Sequence, residues 1–207
     1  MAKNEKEMIA GDKMLTPVQG IKRGTNINTL KIDPRLEERT LTGIGWVDDV
    51  FGAGDREQGI TPSTSILFTG TPGSGKTTLA LQIADAWTSK GNICLLNSCE
   101  ESLLQVRKVT KRLGLKSGFI AGEDRLVPAM IDHARFLTKD KPDARVLVIC
   151  DSIQTHDDGF YNNGTTNTMT PVRVTNMLTE FCKETFAVAV LIGQVTKGGE
   201  FAGKQAI

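Results

Sequence analysis

Long apolar runs are missing from this 207-residue chain. Val146-Leu-Val-Ile149 and Ala187-Val-Ala-Val-Leu-Ile192 fall far short of the roughly 20 residues that a membrane-spanning helix requires, so no membrane association is expected. The amino-terminal Met-Ala-Lys-Asn-Glu-Lys-Glu is mixed in charge and lacks the apolar stretch of a secretion signal, which makes a cytoplasmic address the default expectation. The four cysteines, Cys94, Cys99, Cys150 and Cys182, form no Cys-x-x-Cys pair, and three lie in or beside apolar runs; buried thiols are the expected reading. Aromatics make up only 5% of the chain, with a single tyrosine, Tyr161. Charge of one sign is also absent: 25 Lys and Arg against 24 Asp and Glu leave a net +1. Such a balance gives no global attraction to nucleic acid, so any DNA contact must come from a local patch or from assembly.

What is present is an ordinary globular composition, 39% hydrophobic and 24% charged, in a length that fits one substantial domain with an extension. Residues 1 to 40 are polar, carry Pro17 and Pro34 and show no sustained period; they read as a tail or linker. From Leu41 to residue 207, strand-like and amphipathic helical patterns alternate, which predicts an α/β domain whose mostly parallel sheet is sandwiched by helices. Strands are expected at Ser65 to Thr69, Ile93 to Asn97, Phe119 to Ala121, Arg145 to Cys150 and Ala187 to Gly193. Helices are expected over Gly75 to Thr88, Ser102 to Leu113, Leu126 to Leu137 and Pro171 to Thr185, the last opened by a first-turn proline behind Thr170 as cap. The polar segment between Gln154 and Thr170 reads as a mobile surface loop. A second flexible segment is expected from Thr196 to Lys204.

Gly70-Thr-Pro-Gly-Ser-Gly-Lys76-Thr77 matches G-x-x-x-x-G-K-[ST] in full, after an apolar strand and before a helix. Glycines at Gly70, Gly73 and Gly75 let backbone N–H groups curl around phosphates, and the following helix adds its positive end. The loop predicts ATP binding by Gly70, Thr71, Pro72, Gly73, Ser74, Gly75, Lys76, Thr77 and the adjoining Thr78. Lys76 would sit on the β- and γ-phosphates and Thr77 would ligate Mg²⁺. Mg²⁺ also needs a carboxylate at a neighbouring strand end, and Asp151 supplies it after Val146-Leu-Val-Ile-Cys150. Glu100, in Cys99-Glu100-Glu101-Ser102, is the expected carboxylate that activates water, with Glu101 beside it; both also suit the start of the next helix. Gln194 ends the last apolar run, where an amide can touch a γ-phosphate and report its presence.

Taken together and in this order, these residues resemble the RecA superfamily and, within it, the bacterial RadA (Sms) branch. The similar stretches are Thr42-Gly-Ile-Gly45 leading into the phosphate loop, Glu100-Glu-Ser102 with Leu113-Gly-Leu115 behind it, Asp151-Ser-Ile-Gln154, and Val195-Thr-Lys197 followed by Ala202-Gly203. They span about residues 41 to 207. The resemblance implies a RecA-type ATPase core that assembles as a homo-oligomeric ring or filament with ATP between subunits, and that acts on single-stranded DNA in homologous recombination and repair. It implies that Glu100 activates water, that Gln194 senses the γ-phosphate, and that the loops after Gln154 and Val195 face DNA. The branch's zinc module, Lon-like domain and Lys-Asn-Arg-Phe-Gly segment are not found in these residues, so the expectation is a fragment or a reduced form completed by a partner. A basic residue supplied across such an interface is worth roughly 10³ to 10⁵ in rate, so slow hydrolysis is expected from the chain alone. A KaiC-like signalling or assembly ATPase and a non-catalytic nucleotide-binding subunit are the alternatives; the Asp-Ser-Ile-Gln and Val-Thr-Lys stretches favour RadA.

The expected DNA-facing side chains are Lys197 and Lys204, joined by Phe160 and Tyr161, whose rings suit base stacking; Asp157 and Asp158 in the same loop oppose that role. Arg107, Lys108, Lys111 and Arg112 form one basic face of a helix, read as a solvated surface. His133 and His156 are given no catalytic role.

Overall fold

The apolar runs become strands for the reason that made them visible: residues buried on both faces of a parallel sheet are apolar at successive positions rather than at alternate ones. In the computed structural model, which describes residues 24–52, 58–141, 143–161 and 164–194, these are β1 (Ser65–Gly70), β2 (Ile93–Ser98), β3 (Ile120–Gly122), β4 (Val146–Asp151) and β5 (Val188–Gln194). They form one sheet in the order β1-β5-β4-β2-β3, parallel at every pairing. Every strand runs one residue past its expected end, because backbone pairing continues through the residue that closes the apolar run. Ser98, Asp151 and Gln194 are thereby carried into the ladder. Gly70 pairs with Gln194, Asp151 with Ile192 and Ser98 with Asp151, so the chemically interesting ends line one carboxyl edge.

Helices α1 (Gly45–Phe51), α2 (Lys76–Ser89) and α3 (Leu103–Leu113) cover one face. There Val47, Leu81, Ala84, Trp87 and Val106 pack against Cys94, Leu96, Leu147, Ile149 and Val190. Helices α4 (Val127–Thr138) and α5 (Thr170–Thr185) cover the other, where Met130, Ala134, Val174, Leu178 and Phe181 meet Leu95, Val148, Ala189 and Leu191. The alternation of Cys94 and Leu96 with Ile93 and Leu95 between the two clusters is the period of two of a strand. Among the described residues no helix is long and apolar enough to cross a membrane.

The chain divides into Met1–Asp33 and Pro34–Ile207. In the first unit a 3₁₀ turn at Ile27–Thr29 is capped by Asn26. The second begins ahead of the expected border at residue 40. Its first residues are tied into the core: Glu38 pairs with Arg145, Arg35 lies over the Phe186 ring, and Thr40 exchanges backbone bonds with Ile60.

Two local expectations change. The segment after Gln154 is anchored rather than wholly mobile: a 3₁₀ turn covers Ile153–Thr155, His156 and Asp158 are buried, and Asp157 exchanges backbone bonds with Arg125 and Val127. Arg173 of α5 neutralises Asp158, a partner from another element that a local reading of polarity cannot see. Thr170 is the first helical residue rather than the cap, and its hydroxyl accepts the Asn167 N–H at 2.9 Å.

Candidate active site

The loop between β1 and α2 is shaped by its glycines. Gly73 and Gly75 have φ of 79° and 89°, in the region that residues with a side chain avoid. A Cβ on Gly70 would stand 2.7 Å from the Ser74 hydroxyl. Gly75 caps α2 without a side chain, leaving the first N–H groups of the helix open to an anion. Lys76 folds back on the loop, its ammonium donating to the carbonyls of Gly70 (2.9 Å) and Thr71 (3.0 Å). Beside the loop lies a cavity of about 740 Å³, lined among others by Trp46, Lys76, Thr78 and Gln82; this is within the usual range for small-ligand sites. Trp46 was not legible in the sequence as part of this surface, because only the fold brings α1 beside β1.

Thr77, in the first turn of α2, donates its hydroxyl to Asp151 Oδ2 at 2.7 Å. This joins residues 74 positions apart at the end of β4. Burial pushes the Asp151 carboxyl above the ordinary carboxylate range, with Glu100 and Glu101 adding to the rise and Thr77 and Lys76 opposing it. The donor set fits a hard dication: one hydroxyl and one carboxylate, with water and phosphate oxygens to fill the other positions, as Mg²⁺ prefers. Thr77 and Asp151, joined at 2.7 Å, are the residues that would hold it; among the described residues no group of three His, Cys, Asp or Glu side chains could hold a metal. A bound dication would pull the Asp151 carboxyl back toward ionisation.

Glu100 follows β2 and reaches across β4. Gln194 Nε2 donates to both of its carboxylate oxygens, at 2.9 and 2.7 Å, and the Ser152 hydroxyl donates to Oε1. Gln154 Nε2 donates to the Gln194 carbonyl at 3.4 Å. The backbone of Glu101 is fixed by Ser98, its N–H and carbonyl both bonded to the Ser98 hydroxyl. The next helix, α3, is closed by a reciprocal Ser102–Gln105 capping box. The structure therefore brings Gly70 to Thr78, Asp151, Glu100 and Gln194 to one edge of the sheet. Ser152 and Gln154 lie inside a stretch whose sequence assigns neither of them a role.

Behind Glu100 sits fully buried His156. Its Nδ1 is 2.7 Å from the Ser152 carbonyl, which only accepts, so Nδ1 carries the proton. Nε2 is left to receive the Cys99 thiol at 3.7 Å. Cys99 is half-buried, unlike Cys94, Cys150 and Cys182, and burial pushes the Cys182 thiol up to about 12. Burial pushes the His156 imidazole below its ordinary 6.5; its bond to Ser152 opposes this and Arg125 adds to it. Below pH 6.5 the unfolded chain takes up a proton at His156 that the folded protein resists. Stability contributed by the neutral ring is thus complete above that value and is lost as pH falls through the folded value, at most about 1.4 kcal/mol per pH unit. Thermal melts across this window should show a steeper acid decline for the wild type than for His156→Gln. The difference between the two isolates the ring from Asp151, whose raised carboxyl acts with the opposite sign.

The aromatic pair also lies beyond β4. Phe160 is 59% exposed, yet its face already holds the Arg173 guanidinium at 4.7 Å. Tyr161 meets it edge-on at 4.9 Å and accepts a bond from Asn167. Lys197 and Lys204, and the glycine-rich segment around them, lie outside the described residues. Arg107, Lys108, Lys111 and Arg112 are exposed along α3 as expected.

A family model described as "ATPase: KaiC" matches residues 40–134. DNA repair protein RadA of Aquifex aeolicus is 33% identical over 170 residues, 82% of this chain and 36% of that protein. RadA of Mycobacterium tuberculosis is 35% identical over 177 residues, 85% and 35%; RadA of Streptococcus pyogenes is 32% identical over 203 residues, 97% and 40%. The chain thus spans between a third and two fifths of the length of these curated relatives. Among solved structures, one described as an ATPase domain superposes with a TM-score of 0.55 at 17% identity, covering 66% of this chain and 58% of that one. A DnaB-like replicative helicase gives 0.54 at 15% identity, covering 66% and 40%; at such identities both speak for the fold alone. Sequence, sheet order and phosphate loop converge: residues 40–134 match a KaiC-type ATPase family, and most of the chain is similar to about a third of the RadA proteins.

Proposed function

We propose that this chain binds ATP with Mg²⁺ through Gly70–Thr78 and Asp151 and hydrolyses it with Glu100 as general base, in a protein that acts on single-stranded DNA during homologous recombination and repair. The observation that carries the reading is Glu100: a carboxylate held by Gln194 and Ser152 on the same sheet edge as the Thr77–Asp151 pair. Backbone N–H groups of the loop and the Lys76 ammonium bind the phosphates and oppose the charge that grows on them. Thr77 and Asp151 would hold Mg²⁺, which would supply further positive charge against that growing on the phosphates. Glu100 accepts the proton of a water whose oxygen attacks the γ-phosphorus as the bond to ADP breaks. Gln194 exchanges Glu100 for the γ-phosphate and passes that change to the residues after it. We read the protein as cytoplasmic and working as a ring or filament, with residues from a neighbouring copy or a partner completing the reaction. Lys197 and Lys204, with Phe160 and Tyr161, are the side chains placed on DNA.

The experiment is ATP turnover with and without single-stranded DNA at low and high salt. Turnover should rise with DNA, and the rise should fade with salt, because phosphate contacts release counterions. A second reading, a KaiC-type signalling ATPase that handles no DNA, draws on the family match over residues 40–134. Turnover indifferent to DNA at every salt concentration favours it, and tight ATP binding with no turnover in any assembly leaves a nucleotide-binding subunit.

A further inference from the structure

We infer that Ser152 is a positioning residue for the catalytic carboxylate: its hydroxyl is the fixed tether that holds Glu100 Oε1 while the other tether, Gln194, is free to leave. The inference rests on the proposed role of Glu100 in hydrolysis. An ionised carboxylate only accepts, so both Ser152 and Gln194 act on Glu100 as donors. The two donors are mounted differently. Ser152 is fully buried, and its carbonyl receives the Thr155 hydroxyl and the His156 Nδ1–H, each at 2.7 Å, together with the Thr155 N–H at 3.1 Å. The next residue, Ile153, is fully buried in the core against α4 and α5. Gln194 is half-buried at the end of β5, its backbone paired with Gly70 and its carbonyl receiving Gln154, so it is the side-chain amide, spanning both Glu100 oxygens, that would turn.

While the amide donates to both oxygens it stabilises their charge, which makes each a weaker base toward water. Once it turns to a phosphate, Oε1 stays on Ser152 and Oε2 becomes the base. Ser152 thus decides which oxygen reacts and where it points, and misplacement of about 1 Å costs on the order of 10²-fold in rate. His156 contributes at one remove, by fixing the carbonyl of the residue whose hydroxyl does the holding.

The test is steady-state ATP turnover and ATP affinity in Ser152→Ala, Ser152→Thr, Glu100→Gln and the Glu100→Gln/Ser152→Ala pair. Ser152→Ala should lower kcat roughly ten- to a hundredfold with KM and ATP affinity within about twofold. Ser152→Thr, which keeps the hydroxyl, should recover most of the rate. In the Glu100→Gln background the same alanine change should have almost no further effect, since residues acting through one group are not additive. An equal loss in both backgrounds, or a wild-type rate for Ser152→Ala, overturns the inference while leaving Glu100 in place. A wild-type rate for Glu100→Gln overturns the underlying reading instead. Should Ser152→Ala fail to melt cooperatively, Ser152→Cys, a near-isosteric weaker donor, replaces it, with an intermediate loss expected and an unchanged rate counting against the inference.

Discussion

Lys76→Ala leaves the protein folded and removes nucleotide binding: ATP affinity falls on the order of 10²-fold or more, and turnover drops below detection. The ammonium is now satisfied by the carbonyls of Gly70 and Thr71 at 2.9 and 3.0 Å, bonds made within the loop and near solvent, so their loss costs the fold little. In the complex the same charge meets phosphate oxygens. A charge-assisted hydrogen bond there is worth roughly 1.5 to 3 kcal/mol, so losing two contacts amounts to a factor of about 10² to 10⁴. Calorimetric titration with ATP and Mg²⁺ measures the affinity, and a thermal melt checks the fold. Wild-type affinity together with wild-type turnover in this variant sinks the nucleotide reading as a whole.

Glu100→Gln should separate binding from chemistry, keeping ATP affinity within a few-fold while turnover falls roughly 10² to 10⁴-fold, the usual contribution of a positioned general base. Its amide oxygen still accepts the Ser152 hydroxyl, so the local network survives in part, but an amide cannot take the proton of water. The substituted side chain also brings an NH₂ toward the Gln194 amide, which weakens that contact and frees Gln194. Phosphate release with ATP in excess reads the rate. An unaltered rate moves the catalytic role to Glu101, whose backbone is fixed by Ser98.

The contrast between the phosphate loop and the Glu100 network explains what a linear reading can and cannot reach. Gly70 to Thr77 is contiguous, and its conformation depends on residues that must sit in fixed order: left-handed Gly73 and Gly75, then a helix start. Ser152 matters because its hydroxyl meets a side chain 52 positions away, a relation with no periodicity or spacing to betray it. His156 reads as one histidine in a polar stretch; its burial depends on β4, the 3₁₀ turn and the Cys99 loop closing around it. The segment after Gln154 looks mobile because it is polar throughout, yet at Asp158 it is anchored by Arg173 of α5. The Phe160 ring looks open to stacking and already carries the same guanidinium.

Local chemistry in the sequence alone pointed to the strands, to every helix except α1, to the phosphate loop and to Asp151 and Glu100 as carboxylates at or just past the ends of apolar runs, since each depends on neighbours within a few positions. Only the tertiary structure decided that β5 lies between β1 and β4. That order sets Gln194 level with Gly70 and two residues beyond Ile192, the partner of Asp151, where its amide reaches Glu100. Strand order follows from which helices can cover which faces, a competition over buried area across the whole domain, and no segment encodes it by itself.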